Sequence, residues 1–357
     1  MKRHGHLFEQ LVSWPNLLAA SRLAARGKRF RPNVAEFNFD YERELLALQR
    51  ELQNRSYRPG PYRTFQIHEP KCRLISAAPF RDRVVHHALC RVIEPLFERR
   101  FIYDSYACRE GKGTHAALDR FQSFCRHHRY VLQCDIRKFF PSIDHAILVD
   151  CLWRVIKDAA VQGLCQTIID HSNRQEPVSA YFPGDDLFSA SERRRGLPIG
   201  NQTSQFFANV YMDALDHFVK DQLGCKAYVR YVDDFLLCHN DRGRLAEWLH
   251  QIRLFLVRLR LRLHPTKCQV FPAVQGTCFL GFRVFPSHRR LTKDSVRRVR
   301  QRLRRLQQGF GQCVLGTEDI RCRISAWLGH ARHGQTWGLC ERLFREHAFV
   351  RHGPEKR

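Results

Sequence analysis

The sequence predicts an α+β protein in which antiparallel hairpins are interleaved with amphipathic helices. Three observations point there. Tyr228-Val229-Arg230-Tyr231-Val232-Asp233-Asp234-Phe235-Leu236-Leu237-Cys238 sets an acidic pair between two runs of β-branched, aromatic and aliphatic residues, the pattern of two strands joined by a tight turn. Residues 62–76 alternate on both sides of Glu69-Pro70, which reads as a second hairpin. Stretches such as 41–52 and 245–263 instead repeat their apolar residues at helical spacing.

The elements follow in order. Residues 1–60 read as mostly helical: 17–25 is apolar enough for a first helix, 41–52 has an apolar face, and Pro59-Gly60-Pro61 ends the run. In the 62–76 hairpin, Lys71 and Arg73 are two apart and so share a strand face. Pro79-Phe80-Arg81-Asp82-Arg83 leads into an apolar helix over 84–97, and Gly111 and Gly113 mark a basic loop over 106–115. A buried strand, Tyr130-Val131-Leu132-Gln133-Cys134-Asp135, ends on an acid. Phe139-Phe140 follows it, and Pro141-Ser142 opens a helix. A helix pair over 146–172 and a loop over 173–195 precede Gly196-Leu197-Pro198-Ile199-Gly200-Asn201, a loop running into a helix that Thr203 or Ser204 would cap. After the acidic hairpin come the arginine-rich helix over 245–263, a strand near Val270-Phe271 and a hairpin arm over 279–285. A boundary near Pro286 divides the chain into 1–285 and 286–357. Val296, Val299, Leu303 and Leu306 then make the apolar stripe of a helix otherwise covered in arginine, and a last small helical bundle follows.

A chain of 357 residues that is 44% hydrophobic has enough apolar material for two or three domains and a sizeable core. Lys and Arg number 60 against 35 Asp and Glu, a formal net charge of +25. That excess calls for a polyanion, most simply nucleic acid, with an anionic membrane surface as the competitor. No apolar run is long enough to span a bilayer. Glu9, Pro15 and Asn16 precede the 17–25 segment and Arg22 interrupts it, which makes it a poor signal peptide. A transit peptide rich in Arg22, Arg26, Lys28 and Arg29 is the other reading, and a cytoplasmic location is the expectation. The 14 cysteines have no pair at zinc-knuckle spacing and read as reduced and mostly buried.

Several of these stretches carry chemistry. Carboxylates at a buried hairpin tip repel one another and lose hydration. Divalent cations offset that cost, since hard cations take oxygen ligands and neutralise the charge. The opposing reading of Asp233-Asp234 is an ordinary surface turn. Asp135, at a strand end beside a helix start, suits a carboxylate bridging two metal ions roughly 3.5–4 Å apart in phosphoryl transfer. Its opposing reading is a helix cap, a role, like that of an ion-pair partner, that suits Asp144 better. Lys71 and Arg73 fit a triphosphate or a solvated basic strand equally well. Gly200 would let a base or nucleotide approach the backbone. Arg297, Arg298, Arg304 and Arg305 belong to the helix that suits a template or primer phosphate backbone; a calmodulin-type target helix or a membrane-surface helix is the alternative.

In chain order, Lys71-Cys72-Arg73, Asp135-Ile136-Arg137-Lys138-Phe139-Phe140, residues 196–209, Tyr231-Val232-Asp233-Asp234, Lys267 and Phe279-Leu280-Gly281-Phe282 resemble the blocks of the reverse transcriptases, over about residues 40–330. The resemblance implies a right-hand polymerase fold. Fingers and palm would occupy 1–285, the palm an antiparallel sheet packed on helices, and a helical basic thumb 286–357. It implies an RNA-directed DNA polymerase that copies template RNA from a DNA or RNA primer, using deoxynucleoside triphosphates and two Mg2+ ions. Asp135, Asp233 and Asp234 would be the catalytic carboxylates and metal ligands, Asp234 as a secondary ligand or structural acid. Lys71, Arg73, Ile136, Phe140, Ile199, Gly200 and Lys267 would line the nucleotide site, Phe140 as the aromatic gate against a ribose 2′-hydroxyl. Phe279, Leu280 and Gly281 would form the primer grip.

One block departs from the usual pattern. Most bacterial relatives have Pro-Gln-Gly followed by Ser-Pro, whereas this chain has Pro198-Ile199-Gly200 and Ser204-Gln205. That variant is similar to the reverse transcriptases of diversity-generating retroelements in bacteria and their phages. The similarity implies adenine-directed errors and a partner, a small, basic, helical accessory variability protein. Rival readings are a retron- or CRISPR-type reverse transcriptase and a catalytically silent nucleic-acid-binding relative.

Overall fold

The computed structural model describes residues 3–68, 72–173, 175–178 and 180–350. The chain opens on helices Phe8–Val12, Trp14–Ala25, Pro32–Phe39 and Tyr41–Gln53. Leu17, Ala20 and Ala24 bury one side of the second, and Leu45, Leu48 and Leu52 one side of the fourth. That three- and four-residue repeat is what drives an amphipathic helix into a core, so the 17–25 segment is a helix of the fold. Strands β1 (Arg63–Ile67) and β2 (Arg73–Ala77) pair antiparallel. The expected turn at Glu69-Pro70 lies outside the described residues, as does Lys71.

The central sheet is built from β3 (Tyr130–Asp135), β4 (Tyr228–Tyr231), β5 (Asp234–His239) and β6 (Gln269–Pro272). All pairings are antiparallel, in the order β4-β5-β3-β6. Side chains alternate between its two faces. Leu132, Cys134, Tyr228, Phe235 and Leu237 enter a large core shared with helices Phe80–Glu98, Gln202–His217 and Arg242–Arg258. Val131, Val229, Leu236 and Cys238 enter a second core with helix Thr114–His127. Burial on both faces is why β3 and β5 are almost continuously apolar. Gln133, Asp135 and Asp234 fall on the second face, toward one end of the sheet, and His239 closes β5 at the other.

Several local expectations shift. Pro141-Ser142 closes a single turn, Phe139–Ser142, rather than opening a helix. The long helix begins at His145, with Asp144 as its cap accepting from the Ala146 and Ile147 N–H groups. Asp144 also receives Arg260 at 2.6 Å, so it serves as both cap and ion-pair partner. Thr203 and Ser204 are buried inside helix Gln202–His217, and the cap position is Asn201. The 245–263 helix runs instead over Arg242–Arg258.

Beyond β6, strands β7 (Thr277–Phe279), β8 (Phe282–Val284) and β9 (Arg289–Leu291) form a small antiparallel sheet, and the expected 285/286 division falls inside it. Helices Lys293–Gly311, Thr317–Ala331 and Trp337–Glu346 follow. Val299, Leu303, Leu306 and Phe310 bury the stripe of the first, which the Thr292 hydroxyl caps. The cysteines are free thiols. Among the described residues, no helix is long and apolar enough to cross a membrane.

Candidate active site

Tyr231 pairs with Asp234 across the β4–β5 hairpin, so its turn is Val232-Asp233. Val232 sits at φ +59, a left-handed backbone that a β-branched side chain resists. The tip therefore carries only one of the two acids. Asp234 is the first residue of β5 and stands directly opposite Asp135. Backbone bonds fix both neighbours: the Ile136 N–H donates to the Asp233 carbonyl at 3.1 Å, and the His264 N–H to the Asp135 carbonyl at 2.7 Å. Acids from two distant parts of the chain thus share one end of the sheet.

Asp233 and Asp234 both have raised proton affinity. Burial, then the charges of Asp233 and Asp135, push Asp234 up to about 8. Its Oδ1 is buried without a hydrogen-bond partner. Asp233 is also pushed up, chiefly by burial and further by Asp135, while Arg73 and Lys267 oppose the shift. Lys267 Nζ lies 2.7 Å from Asp135 Oδ2. This is a cluster short of positive charge, with one oxygen left over. Oxygen donors in that state fit a hard divalent cation, and Asp135, Asp233 and Asp234 are the residues that would hold one. Among the described residues no three acidic, histidine or cysteine side chains already converge as a metal cage. Magnesium sites on nucleotide enzymes are often of this open kind, with one or two carboxylates and the substrate phosphates as ligands.

The expected nucleotide residues have unequal links to the cluster. Arg73, exposed at the start of β2, is near enough for its charge to act on Asp233. Lys267 sits on Asp135 itself. The Ile136 side chain is buried in the large core, and its main-chain N–H is the part that bonds to the Asp233 turn. Phe140 is half-buried, edge-on to Phe139 at 5.5 Å between centroids. Ile199 and Gly200 are fastened to the hairpin: the Ser76 N–H donates to the Ile199 carbonyl at 3.0 Å. Asn201 donates to the Ser76 carbonyl at 2.9 Å and accepts from the Ala78 N–H at 3.2 Å. Gly200 has φ +118, and a Cβ there would lie 3.1 Å from Ile75 Cγ2, so this close approach needs glycine.

Leu280 and Gly281 form the turn between β7 and β8, with φ +47 and +87. Gln133 of the central sheet donates to the adjacent Cys278 carbonyl at 3.0 Å, which ties that turn to the acidic end. Phe279 is buried against Phe121, so it supports the turn and is not exposed to a primer. The four arginines of the Lys293–Gly311 helix divide between two sides. Arg298 and Arg305 line a cavity of about 420 Å3 with Arg302, Arg323 and Trp327. Arg297 and Arg304 line a separate groove of about 410 Å3.

Sequence reasoning missed Arg230. It is 0% exposed, as is its partner Asp216, and it binds Asp216, Asn209, Ser105 and the Val232 carbonyl. A strand residue flanked by apolar neighbours gave one signal, since an arginine there must be paired; its side-chain partners lie on other elements.

A family model described as reverse transcriptase (RNA-dependent DNA polymerase) matches residues 66–284, well over half of the chain. The chain is similar to Protein YkfC of Escherichia coli K12, 24% identical over 281 residues, which cover 68% of this chain and 71% of that protein. It is also similar to the group II intron-encoded protein LtrA of Lactococcus lactis, 23% identical over 217 residues. That match covers 59% of this chain but 34% of LtrA, so the chain spans about a third of that relative. Among solved structures, apo telomerase from Candida tropicalis, truncated from its C-terminal domain, aligns over 68% of this chain and 59% of its own, with a TM-score of 0.48 and 11% identity.

Proposed function

This chain belongs to the reverse transcriptase (RNA-dependent DNA polymerase) family, and from that premise we propose that it copies template RNA into DNA by nucleotidyl transfer at Asp135, Asp233 and Asp234. The observation that carries the reading is the register pairing of Asp135 with Asp234 beside the Asp233 turn. Two Mg2+ ions, when bound to these carboxylates, would activate the primer 3′-hydroxyl and stabilise the pyrophosphate leaving group. Arg73 and Lys267 neutralise triphosphate charge as it enters. Burial beside Asp233 and Asp135 favours the protonated form of Asp234, and a bound cation would favour its carboxylate. The Gly200 backbone bounds the nucleotide on the β2 side, and the Leu280-Gly281 turn bounds the primer end. Asp233→Ala is expected to abolish extension of oligo(dT) on poly(rA) while template binding stays near the wild-type value. Retained extension would refute the assignment.

The finer reading is the error-prone enzyme of a diversity-generating retroelement, working with a small basic accessory variability protein. Its support is Pro198-Ile199-Gly200. Ile199 offers an aliphatic group where a glutamine would offer an amide, and a site without that amide has less with which to reject a wrong pair. Ile199→Gln and Ile199→Asn should each lower misincorporation opposite template adenine. An unchanged error spectrum would sink this reading and leave the polymerase reading intact.

A further inference from the structure

An arginine has five N–H donors in a rigid fork, and Arg230 uses all three of its nitrogens inside the protein. Nε donates to Asp216 Oδ1 at 2.7 Å, and Nη2 to Asp216 Oδ2 at 2.6 Å and Ser105 Oγ at 2.9 Å. Nη1 donates to Asn209 Oδ1 at 3.2 Å and to the Val232 carbonyl at 3.1 Å. Tyr228 adds its hydroxyl to Asp216 at 2.8 Å. The main chain is held as well: the Arg230 N–H donates to the Asp104 carbonyl, and the Tyr106 N–H to the Arg230 carbonyl, both at 3.0 Å. Two of the side-chain anchors, Asp216 and Asn209, lie on helix Gln202–His217, and Ser105 lies on the segment beside the edge of β4. The remaining acceptor is the carbonyl of a left-handed valine, one residue before Asp233.

We propose that Arg230 is a positioning residue for Asp233. Its fork ties the Val232 carbonyl to the helix and to the 104–106 segment, and so holds the strained turn in the one conformation that aims Asp233 across at Asp135. A buried Arg-Asp pair is by itself weak evidence for stability, because well-packed apolar residues often replace such a pair at little cost. The contact to the turn is the part that replacement cannot reproduce. Released, the Val232 peptide is free to leave the left-handed region and swing the following carboxylate away, and misplacement by about 1 Å can cost about 100-fold in rate.

The proposal rests on the polymerase reading for its kinetic arm only. The variant Arg230→Met/Asp216→Leu/Tyr228→Phe removes the ion pair and the Tyr228 hydroxyl together, so no charge is left unpaired, and only the Ser105 hydroxyl, the Asn209 amide oxygen and the Val232 carbonyl lose the guanidinium. It should melt within a few degrees of wild type, bind template–primer as tightly and keep its nucleotide KM within threefold. Its kcat should fall about 100-fold, and amide exchange in residues 231–234 should quicken at least tenfold. Arg230→Lys keeps the charge against Asp216 with one nitrogen in place of three, and should give the same selective loss of kcat if the triple variant fails to fold. Wild-type kcat with a turn that exchanges as slowly as before, in either variant, overturns the proposal, as does a rate that falls only in step with melting temperature. If the wild-type chain extends no primer at all, the polymerase reading fails, and the exchange comparison alone still decides whether Arg230 holds the turn.

Discussion

Asp234 is an acid whose surroundings favour its neutral form, and that fixes the sign of a pH effect. Its folded value is about 8 against an ordinary value of 3.8. The stability it contributes is fully present below about 4 and is lost as pH rises to about 8, because the ionised form is penalised only in the fold. In a chelator, the melting temperature of wild type relative to Asp234→Asn should therefore fall between pH 5 and 8.5. Millimolar Mg2+ should restore wild type at pH 8.5 by mass action and leave the asparagine variant less changed. A constant difference across that range contradicts the assignment. Lys267 makes a second prediction with two opposite signs. Its ammonium sits where a cation on Asp135 would compete with it. Lys267→Met should lower the Mg2+ needed for half-maximal extension while raising the nucleotide KM about tenfold, the loss of one charge-assisted contact. Both constants come from one matrix of Mg2+ and nucleotide titrations; a raised Mg2+ requirement would mean that Lys267 supports the metal instead of competing with it, and an unchanged nucleotide KM would take it off the triphosphate.

At the scale of elements, what matters is how the β2 hairpin is joined to the loop before helix Gln202–His217. Asn201 is buried and bridges the Ser76 carbonyl and the Ala78 N–H. Asn201→Ala leaves both backbone groups without partners, at about 2 kcal/mol, which a denaturant midpoint would record. Arg73 rides on that hairpin and Ile199 on that loop, so the nucleotide KM should rise more than kcat falls. A KM unchanged at the lower stability would uncouple the two elements. Much of this scale was legible. The apolar runs around Asp135 and Asp234 announce strands buried on both faces, and the Asp pair announces the hairpin between them. The turn itself was misread by one residue, because a two-residue loop at Val232-Asp233 needs left-handed backbone at a valine, which propensity argues against. Asn201 and Arg230 were not legible as anchors. Their partners, apart from the Val232 carbonyl beside Arg230, lie on other elements, and no local spacing encodes a side chain that bonds to another element.

Over the whole molecule, an excess of 25 positive charges guarantees affinity for polyanions without saying which surface uses it. The arginine helix illustrates the gap. A helix turns by about 100° per residue, so Arg297 and Arg298 diverge while residues seven apart realign. Arg298 and Arg305 accordingly share one side, Arg297 and Arg304 the other; spacing alone could have separated them. Only the fold says which side adjoins the acidic end. Ser295 donates to the Gly281 carbonyl at 3.2 Å and, with His330, borders the cavity that Arg298 and Arg302 line, so that side continues from the Leu280-Gly281 turn. Each phosphate contact contributes roughly 0.7–0.9 to the slope of log affinity against log salt. Arg298→Ala/Arg302→Ala should therefore flatten that slope for a template–primer duplex by up to about two contacts' worth. Arg297→Ala/Arg304→Ala should leave it nearly as steep, although it removes the same formal charge. Equal losses from the two pairs would mean that the nucleic acid wraps the helix, or that only net charge counts, and the cavity side would lose its claim to the duplex.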